Sequence, residues 1–185
     1  MKKKQLRKLN ENTRLGVFLY NRDMFNDYVK FYTNIRKKLK GKETWIIVAN
    51  NVLTYFFYIA YPCLLLFIFL KHRELLLRFI LVPAISFIFL SMIRDKINEK
   101  RPYEAYDIDP IIHKDTKGNS MPSRHIFSSV IISMCFLYFH IPTGITMLLT
   151  SILACCIRVI GGVHFPLDVV VGYICGFISG LLLFL

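Results

Sequence analysis

The sequence lacks the features that mark several common protein classes. Its five cysteines show no metal-ligand spacing and lie inside apolar stretches, so we interpret them as packing residues: Cys63, Cys135, Cys155, Cys156 and Cys175. No short apolar segment and no small-residue cleavage site precede Thr44, so we do not expect a cleaved signal peptide. Internal repeats and low-complexity linkers are also absent, which favours one domain.

Acidic residues are scarce, and the resulting positive charge is concentrated near the N-terminus. The chain has 12 Asp and Glu against 24 Lys and Arg, and residues 1–43 hold thirteen of the basic residues but only four of the acidic ones. Such a segment indicates anionic membrane lipids as partners rather than nucleic acid. Apolar positions from Met24 to Leu39 recur at helical spacing and predict an amphipathic helix in the membrane interface, with a partly disordered basic tail as the alternative.

Apolar residues are abundant, at 55% of the chain with a mean hydropathy of +0.46, which indicates a membrane protein. Residues 125–157 contain no Asp, Glu, Lys or Arg and are too many for one span, so we expect Pro142 and Gly144 to break them. We divide the chain into a basic amphipathic segment, residues 1–43, and a membrane-embedded domain, residues 44–185. The predicted fold is an all-α polytopic helix bundle with five spans, at about 45–70, 75–93, 124–140, 143–160 and 166–185.

Two polar segments are predicted to meet at one side of the membrane. Residues 94–124 join the second and third spans, and residues 161–165 join the fourth and fifth. Because the third and fourth spans form a down-and-back pair, both junctions face the same side. Pro122 and Pro166 suit the first turn of a helix, so two helix N-termini with unpaired N–H groups should face a common pocket.

The ionisable residues of these segments form a candidate phosphate site. Arginines bind phosphate oxygens in pairs, and histidines add proton transfer and nucleophilicity near neutral pH. Taken singly, each residue has a plainer explanation as an interfacial anchor, a satisfied histidine or a helix N-terminal acid, and only the joint spacing favours the site. His113 and His140 match no pattern and are interpreted as surface or turn residues. The candidates are Arg94, Arg101, Ser123, Arg124, His125, Arg158, His164 and Asp168.

The spacing resembles that of the type 2 phosphatidic acid phosphatase superfamily. The family pattern is Lys-x6-Arg-Pro, then Pro-Ser-Gly-His, then Ser-Arg-x5-His-x3-Asp, and the resemblance covers roughly residues 45–185. Three motifs in this order and at one membrane face are far more specific than a single His-x3-Asp. The matching segments are Arg94-x6-Arg101-Pro102, "PSRH" at Pro122 to His125, and Ile157-Arg158-x5-His164-x3-Asp168.

The resemblance implies a role for each matching residue. His164 would be the nucleophile that attacks phosphorus, and Asp168 would accept the proton on its other ring nitrogen. His125 would be the general acid that protonates the leaving oxygen and later helps to activate water. No metal or other cofactor is implied, because arginines supply the electrostatic stabilisation. The phosphoryl oxygens would be held by Arg94, Arg101, Ser123 and Arg158, with Arg124 as an additional cation.

Three positions depart from the family pattern. Arg94 stands in place of lysine, which keeps the charge but changes its reach. Arg124 stands in place of glycine, and either compensates for a lost backbone approach to phosphate or selects a diphosphate. Ile157 stands in place of serine and removes one possible hydrogen bond. None of the three changes removes a group that the chemistry needs.

The resemblance implies a membrane lipid phosphate phosphatase that forms a phosphohistidine. Its substrate would be an isoprenoid diphosphate, phosphatidate or phosphatidylglycerophosphate. Two alternatives remain open: a lipid phosphotransferase with the same residues, and a non-catalytic membrane protein that binds lipid phosphate. Soluble vanadate-dependent haloperoxidases have a similar constellation, but five predicted spans argue against that class.

The side of the membrane that the site faces is predicted differently by charge and by resemblance. With five spans, the basic N-terminal segment and the site share one side, which the positive-inside bias places in the cytoplasm. Many bacterial relatives face outward, usually with six spans, and residues 14–39 could supply a missing element. The resemblance alone favours the external face of the cell membrane.

Glycines recur every four residues in the last predicted span, at Gly172, Gly176 and Gly180. Such a stripe allows the backbones of two helices to approach closely. We expect this contact inside the bundle rather than between protomers, and a homo-oligomer is left open.

Overall fold

The computed structural model describes residues 22–106 and 108–185. It confirms the all-helical bundle: an amphipathic helix is followed by five apolar helices. Four of the five are long and apolar enough to cross a membrane, and Arg124–Phe139 is a shorter apolar helix. The helices are α1 (Arg22–Lys38), α2 (Glu43–Lys71), α3 (Leu76–Ile97), α4 (Pro102–Ala105), α5 (Arg124–Phe139), α6 (Ile141–Ile160) and α7 (Pro166–Leu181), with short 3-10 helices at Arg73–Leu75 and Leu182–Phe184.

The boundary between α5 and α6 differs from the prediction. The expected break between the two spans occurs, at His140, but Pro142 and Gly144 are not turn residues, because α5 ends at Phe139 and α6 already begins at Ile141. Pro142 fits in the first turn of α6, where a backbone N–H has no helical acceptor to lose. Gly144 serves packing instead, because a Cβ there would lie 2.3 Å from the Cα of Leu137 on α5.

The proline before α5 also differs from the prediction. Pro166 is the first residue of α7, as expected, but α5 begins at Arg124 with Ser123 as its N-cap. Pro122 therefore lies in the preceding loop and not in the first helical turn. Its carbonyl accepts a hydrogen bond from Nη1 of Arg94 at 3.2 Å, which ties the loop to the end of α3.

Helix α5 is the most buried helix of the bundle, with nine buried residues among its sixteen. It packs against α7 through the glycine stripe, which confirms the expected contact inside the bundle. A Cβ at Gly172 would lie 2.7 Å from the carbonyl oxygen of Ser123, and a Cβ at Gly176 would lie 2.8 Å from that of Phe127. The close approach brings the starts of the two helices together, so that the Ser123 N–H donates to the Asp168 carbonyl at 3.0 Å.

Helix α1 confirms the predicted amphipathic helix and lies at the end of the bundle where the polar segments meet. The Tyr32 hydroxyl donates to the Asp109 carbonyl at 3.1 Å and accepts from the Ile111 N–H at 3.0 Å. Tyr28 packs edge-on against Phe165, with ring centroids 5.0 Å apart. The described part of the suggested sixth element therefore runs along this end and does not cross the bundle, whereas residues 14–21 lie outside the described residues. Membrane binding by the N-terminal segment and the division at residue 43 stay predictions.

The outer surface of the long helices is apolar, as a lipid environment requires. Large exposed apolar side chains cover α2, α3, α6 and α7. All five cysteines are free. Cys135 is buried in the core, as the packing interpretation expected, but Cys63 and Cys156 are exposed on this outer surface.

Candidate active site

The loop between α3 and α5 and the turn between α6 and α7 meet at one end of the bundle, as predicted. The Ile112 N–H donates to the Gly161 carbonyl at 3.0 Å and joins the two segments directly. Burial of several ionisable groups is costly and is typical of functional sites. Six of the eight predicted site residues are buried here, none with more than 5% of its surface exposed: Arg94, Arg101, Ser123, Arg158, His164 and Asp168.

His164 and Asp168 form a buried pair at the start of α7. Nδ1 of His164 lies 3.4 Å from Oδ2 of Asp168, at the long end of the hydrogen-bonding range. The same carboxylate oxygen accepts the backbone N–H of Phe165 at 2.9 Å, which fixes the carboxylate at the helix N-terminus. With Nδ1 directed to Asp168, Nε2 of His164 is the ring nitrogen available to attack a substrate.

His164 lies in a turn outside the membrane-spanning helices, and its buried surroundings keep the imidazole neutral. Burial lowers the pKa of His164 to about 4, and the hydrogen bond and charge of Asp168 offset this effect only in part. The positive charges of Arg101 and Arg158 lower the pKa further. At neutral pH the imidazole therefore keeps the lone pair that a nucleophile needs.

Ser120 lies beside the His164 and Asp168 pair. Its side chain is fully buried, and its hydroxyl donates to Oδ2 of Asp168 and lies 3.4 Å from Nδ1 of His164. Its backbone N–H donates to the Glu99 carbonyl at 2.8 Å, which fixes the position of the hydroxyl. Ser120 thus holds the carboxylate that orients the histidine.

Three arginines lie around the His164 and Asp168 pair, and each donates one hydrogen bond to another part of the fold. Nε of Arg101 donates to the Gly118 carbonyl at 3.1 Å, and Nη2 of Arg158 is 3.4 Å from the Thr54 hydroxyl. Each also has a buried N–H without a partner among the described residues: Nε of Arg94, Nη1 of Arg101 and Nη1 of Arg158. None of the three arginines forms a salt bridge with another described residue. Their charges and donors are therefore available for an anion.

Ser123 and His125 stand at the start of α5, opposite His164. A serine at the N-cap usually accepts a hydrogen bond from its own helix, but the Ser123 side chain makes no such bond. Its buried hydroxyl has no partner within the described residues, so it is free to bind a phosphoryl oxygen together with the helix N-terminus. The titratable groups close enough to act on the His125 ring include Arg158, Lys114, His164 and Arg124, so both histidines belong to one site.

A cavity of about 270 Å³ extends from this site between the helices. His125 and Arg158 line its polar part, and Leu53, Phe57 and Ile132 belong to its apolar walls. Its mixed lining suits a molecule with a charged head and an apolar tail.

Two of the positions that depart from the family pattern line the same cavity. Arg124 is exposed, unlike the three buried arginines, and its guanidinium lies 5.9 Å from the ring centroid of Phe87. Ile157 is buried and contributes apolar surface where the pattern has serine.

Sequence reasoning missed three residues of the site: Thr54, Lys114 and Ser120. Thr54 carries a usable signal, because it is a polar residue one turn after Asn50 in a mainly apolar helix. Ser120 and Lys114 belong to a loop rich in polar residues, where no spacing distinguishes them.

The comparisons with known proteins agree with the architecture. The family described as the PAP2 superfamily matches residues 75–185, and no curated protein matches the chain. The crystal structure of Aquifex aeolicus LpxE has 23% sequence identity and a TM-score of 0.57, over 76% of this chain and 93% of that chain. The crystal structure of the first transmembrane PAP2 type phosphatidylglycerolphosphate phosphatase from Bacillus subtilis has 19% identity and a TM-score of 0.58, over 86% and 93%. At these identities the structural likeness shows the fold alone.

Proposed function

The chain belongs to the PAP2 superfamily of membrane phosphatases, and from this premise we propose that it hydrolyses the phosphate ester or diphosphate of a membrane lipid. One observation carries the proposal: the buried His164 and Asp168 pair lies beside three arginines, none of which forms a salt bridge with another described residue. A compact anion with several oxygens fits that arrangement.

In the first step, Nε2 of His164 attacks phosphorus and the bond to the lipid oxygen breaks. The three arginines and the Ser123 hydroxyl bind the phosphoryl oxygens and stabilise the charge that develops on them. His125 gives a proton to the leaving oxygen, and the negative charge of Asp168 stabilises the positive ring of the phosphohistidine. The products of this step are the dephosphorylated lipid and the phosphorylated enzyme.

In the second step, a water molecule attacks the phosphohistidine. His125, now neutral, takes a proton from the water, and the phosphorus–nitrogen bond breaks. Orthophosphate leaves, and both histidines return to their starting states. Because the arginines supply the stabilising charge in both steps, we propose that the reaction needs no metal ion.

The cavity supports a lipid as the substrate. It joins the charged site to apolar walls formed by α2, α5 and α6, so a phosphate can bind at the membrane surface while the tail stays in an apolar environment. The candidate substrates are an isoprenoid diphosphate, phosphatidate and phosphatidylglycerophosphate. The name of the Bacillus subtilis structure favours inclusion of the last of these in a test panel.

We propose that the site faces the cytoplasm. The external orientation that the resemblance favours depends on a sixth membrane element before α2. The described part of α1 instead contacts the active-site end through Tyr28 and Tyr32, which supports a shared side for α1 and the site. That side holds most of the Lys and Arg residues, as the positive-inside bias expects of the cytoplasm.

Phosphate release from a lipid panel by the purified full chain in detergent tests the function. We expect release by the wild type with EDTA present, none by His164→Ala, and a labelled phosphohistidine after alkaline quenching with labelled substrate. Full activity of His164→Ala would exclude the proposed nucleophile, and loss of activity in EDTA that only added metal restores would exclude the metal-free mechanism. A phosphorylated lipid product in the presence of an acceptor alcohol would identify phosphotransfer, whereas tight lipid binding without release at any pH would identify a non-catalytic binder.

The orientation has a separate test in cells. Activity on added water-soluble lipid phosphate should appear in inverted vesicles and be low in intact cells. The reverse result would place the site outside.

A further inference from the structure

Lys114 lies in a loop segment that is anchored on both sides. On one side, the Ile112 N–H donates to the Gly161 carbonyl at 3.0 Å. On the other side, the Tyr103 hydroxyl donates to the Thr116 carbonyl at 2.5 Å. These anchors are four residues apart, so they hold Lys114 close to the turn between α6 and α7 that carries the nucleophile.

Lys114 is less exposed than the charged residues next to it in the loop. Lys114 is partly buried, whereas His113, Asp115 and Lys117 are exposed. Its ammonium group forms no salt bridge or hydrogen bond with the described residues. The charged groups with the largest effect on it are positive and come from four parts of the fold: Arg94 on α3, Arg101 before α4, Arg124 on α5 and Arg158 on α6.

A lysine surrounded by arginines is unfavourable unless an anion binds there. Burial and the four arginines lower the pKa of Lys114 to about 8, so the group keeps most of its charge at neutral pH. One phosphoryl group already has donors from Arg94, Arg101, Arg158 and the Ser123 hydroxyl. Lys114 therefore adds positive charge beyond what a single phosphoryl group, with a charge of about −2, requires.

We propose that Lys114 binds the second phosphoryl group of a lipid diphosphate, beside the group that His164 attacks. The inference rests on the proposed function and names its substrate class: a diphosphate is preferred over a monophosphate with the same tail. Arg124, which lines the cavity and also acts on Lys114, flanks this second position.

Steady-state kinetics with an isoprenoid diphosphate and the monophosphate of the same isoprenoid test the proposal. For Lys114→Gln we expect kcat/KM to fall about tenfold or more on the diphosphate, mainly through KM, and less than about threefold on the monophosphate. Lys114→Arg should keep the preference. The matched control is Lys117→Gln, which removes an exposed lysine of the same loop and should leave kcat/KM unchanged on both substrates. Equal losses on both substrates, or no loss on either, would overturn the proposal.

Binding measurements separate this proposal from the proposed function. By calorimetry, methylenediphosphonate should bind the wild type more tightly than orthophosphate, and Lys114→Gln should remove most of that difference. If the wild type releases no phosphate from any lipid but shows this difference, the hydrolytic function fails and the diphosphate site stands. If the wild type is active and the difference is absent, the diphosphate site fails alone.

The pH profile gives a readout that a merely structural role would not change. Because Lys114 loses its proton as the pH rises through about 8, kcat/KM on the diphosphate should fall above that pH in the wild type. In Lys114→Arg the fall should be absent, because the guanidinium stays charged. An alkaline fall of equal size in both proteins would count against Lys114 as the binding group.

Discussion

Two turns of this bundle contain the same local pattern, a histidine two residues before a proline, and they differ in everything that surrounds it. His140 precedes Pro142 at the α5–α6 junction, and His164 precedes Pro166 at the α6–α7 junction. His140 is exposed, and its Nδ1 lies 2.8 Å from the Thr143 hydroxyl in the first turn of its own helix. His164 is 2% exposed.

The difference between these turns lies in their partners. Each histidine has a polar residue in the following helical turn, but only His164 has a carboxylate there and arginines from other helices around it. Helix α1 also covers the second turn, since a Cβ at Gly162, where φ is +76°, would lie 2.8 Å from the Tyr32 hydroxyl. A histidine before a helix is thus a cap in one environment and a candidate nucleophile in the other.

Removal of each histidine tests the comparison most strongly. His164→Ala should lose at least about a thousandfold in kcat, because no other group at that position can attack phosphorus. His140→Ala should keep kcat within about twofold and lose about 1 kcal/mol of stability with the cap. Phosphate release and thermal unfolding measure the two effects, and comparable losses of kcat in both variants would break the distinction.

Removal of the polar partner of each histidine should have the next largest effect. Asp168→Asn keeps an acceptor for the Phe165 N–H but loses the charge that we propose stabilises the phosphohistidine, so kcat should fall about a hundredfold or more. Thr143→Val is the matched change at the other turn and should leave kcat unaltered. An Asp168→Asn enzyme with normal kcat and normal unfolding temperature would show that Asp168 is only a helix cap.

The acid limb of activity should reflect the environment of His164. Protonation removes the nucleophile, and burial lowers the pKa of His164 to about 4, so the acid loss of kcat/KM should begin only near that pH and then reach about tenfold per pH unit. The profile must be corrected for the second ionisation of the phosphate, near pH 6. A limb near 6.5 after that correction would mean that the histidine is solvated, as an ordinary turn histidine is.

The contact between α1 and the active-site turn should contribute a smaller effect. Tyr32→Phe leaves the Ile111 N–H and the Asp109 carbonyl without their partner, at a cost of about 1 to 3 kcal/mol, and should lower kcat severalfold as the loop loosens. Phe31→Leu, at the exposed position beside it, is the control. Equal activity of the two variants would show that α1 has no part in holding the site.

The sequence predicted what depends on long periodic patterns and on motif spacing. Five apolar helices, the amphipathic α1 and the inward-facing glycine stripe follow from hydrophobic stretches and repeated small residues. The sequence also predicted that His164 meets Arg94 and Arg101. Two spans separate the segments that carry them, and an even number of crossings returns the chain to the same side of the membrane.

What the sequence did not predict depends on tertiary contacts. Pro142 and Pro122 were assigned wrongly because proline tolerates both a first helical turn and a loop, and only the neighbouring helix selects between them. Ser120 and Lys114 are ordinary loop residues until backbone N–H groups of the loop donate to the carbonyls of Glu99 and Gly161 and fix the loop at this end of the bundle. No local pattern specifies such long-range bonds.

Because of the glycine stripe, the distance between His125 and His164 depends on a helix contact that lies deep within the lipid layer. Gly180 lies twelve residues beyond Asp168, about 18 Å along α7, and a Cβ there would lie 2.4 Å from Cγ of Met134. His125 and His164 belong to different segments, so a side chain that separated α5 from α7 at that depth would also shift one histidine relative to the other. Residues far from the candidate site can therefore be as restricted in size as those proposed to bind phosphate.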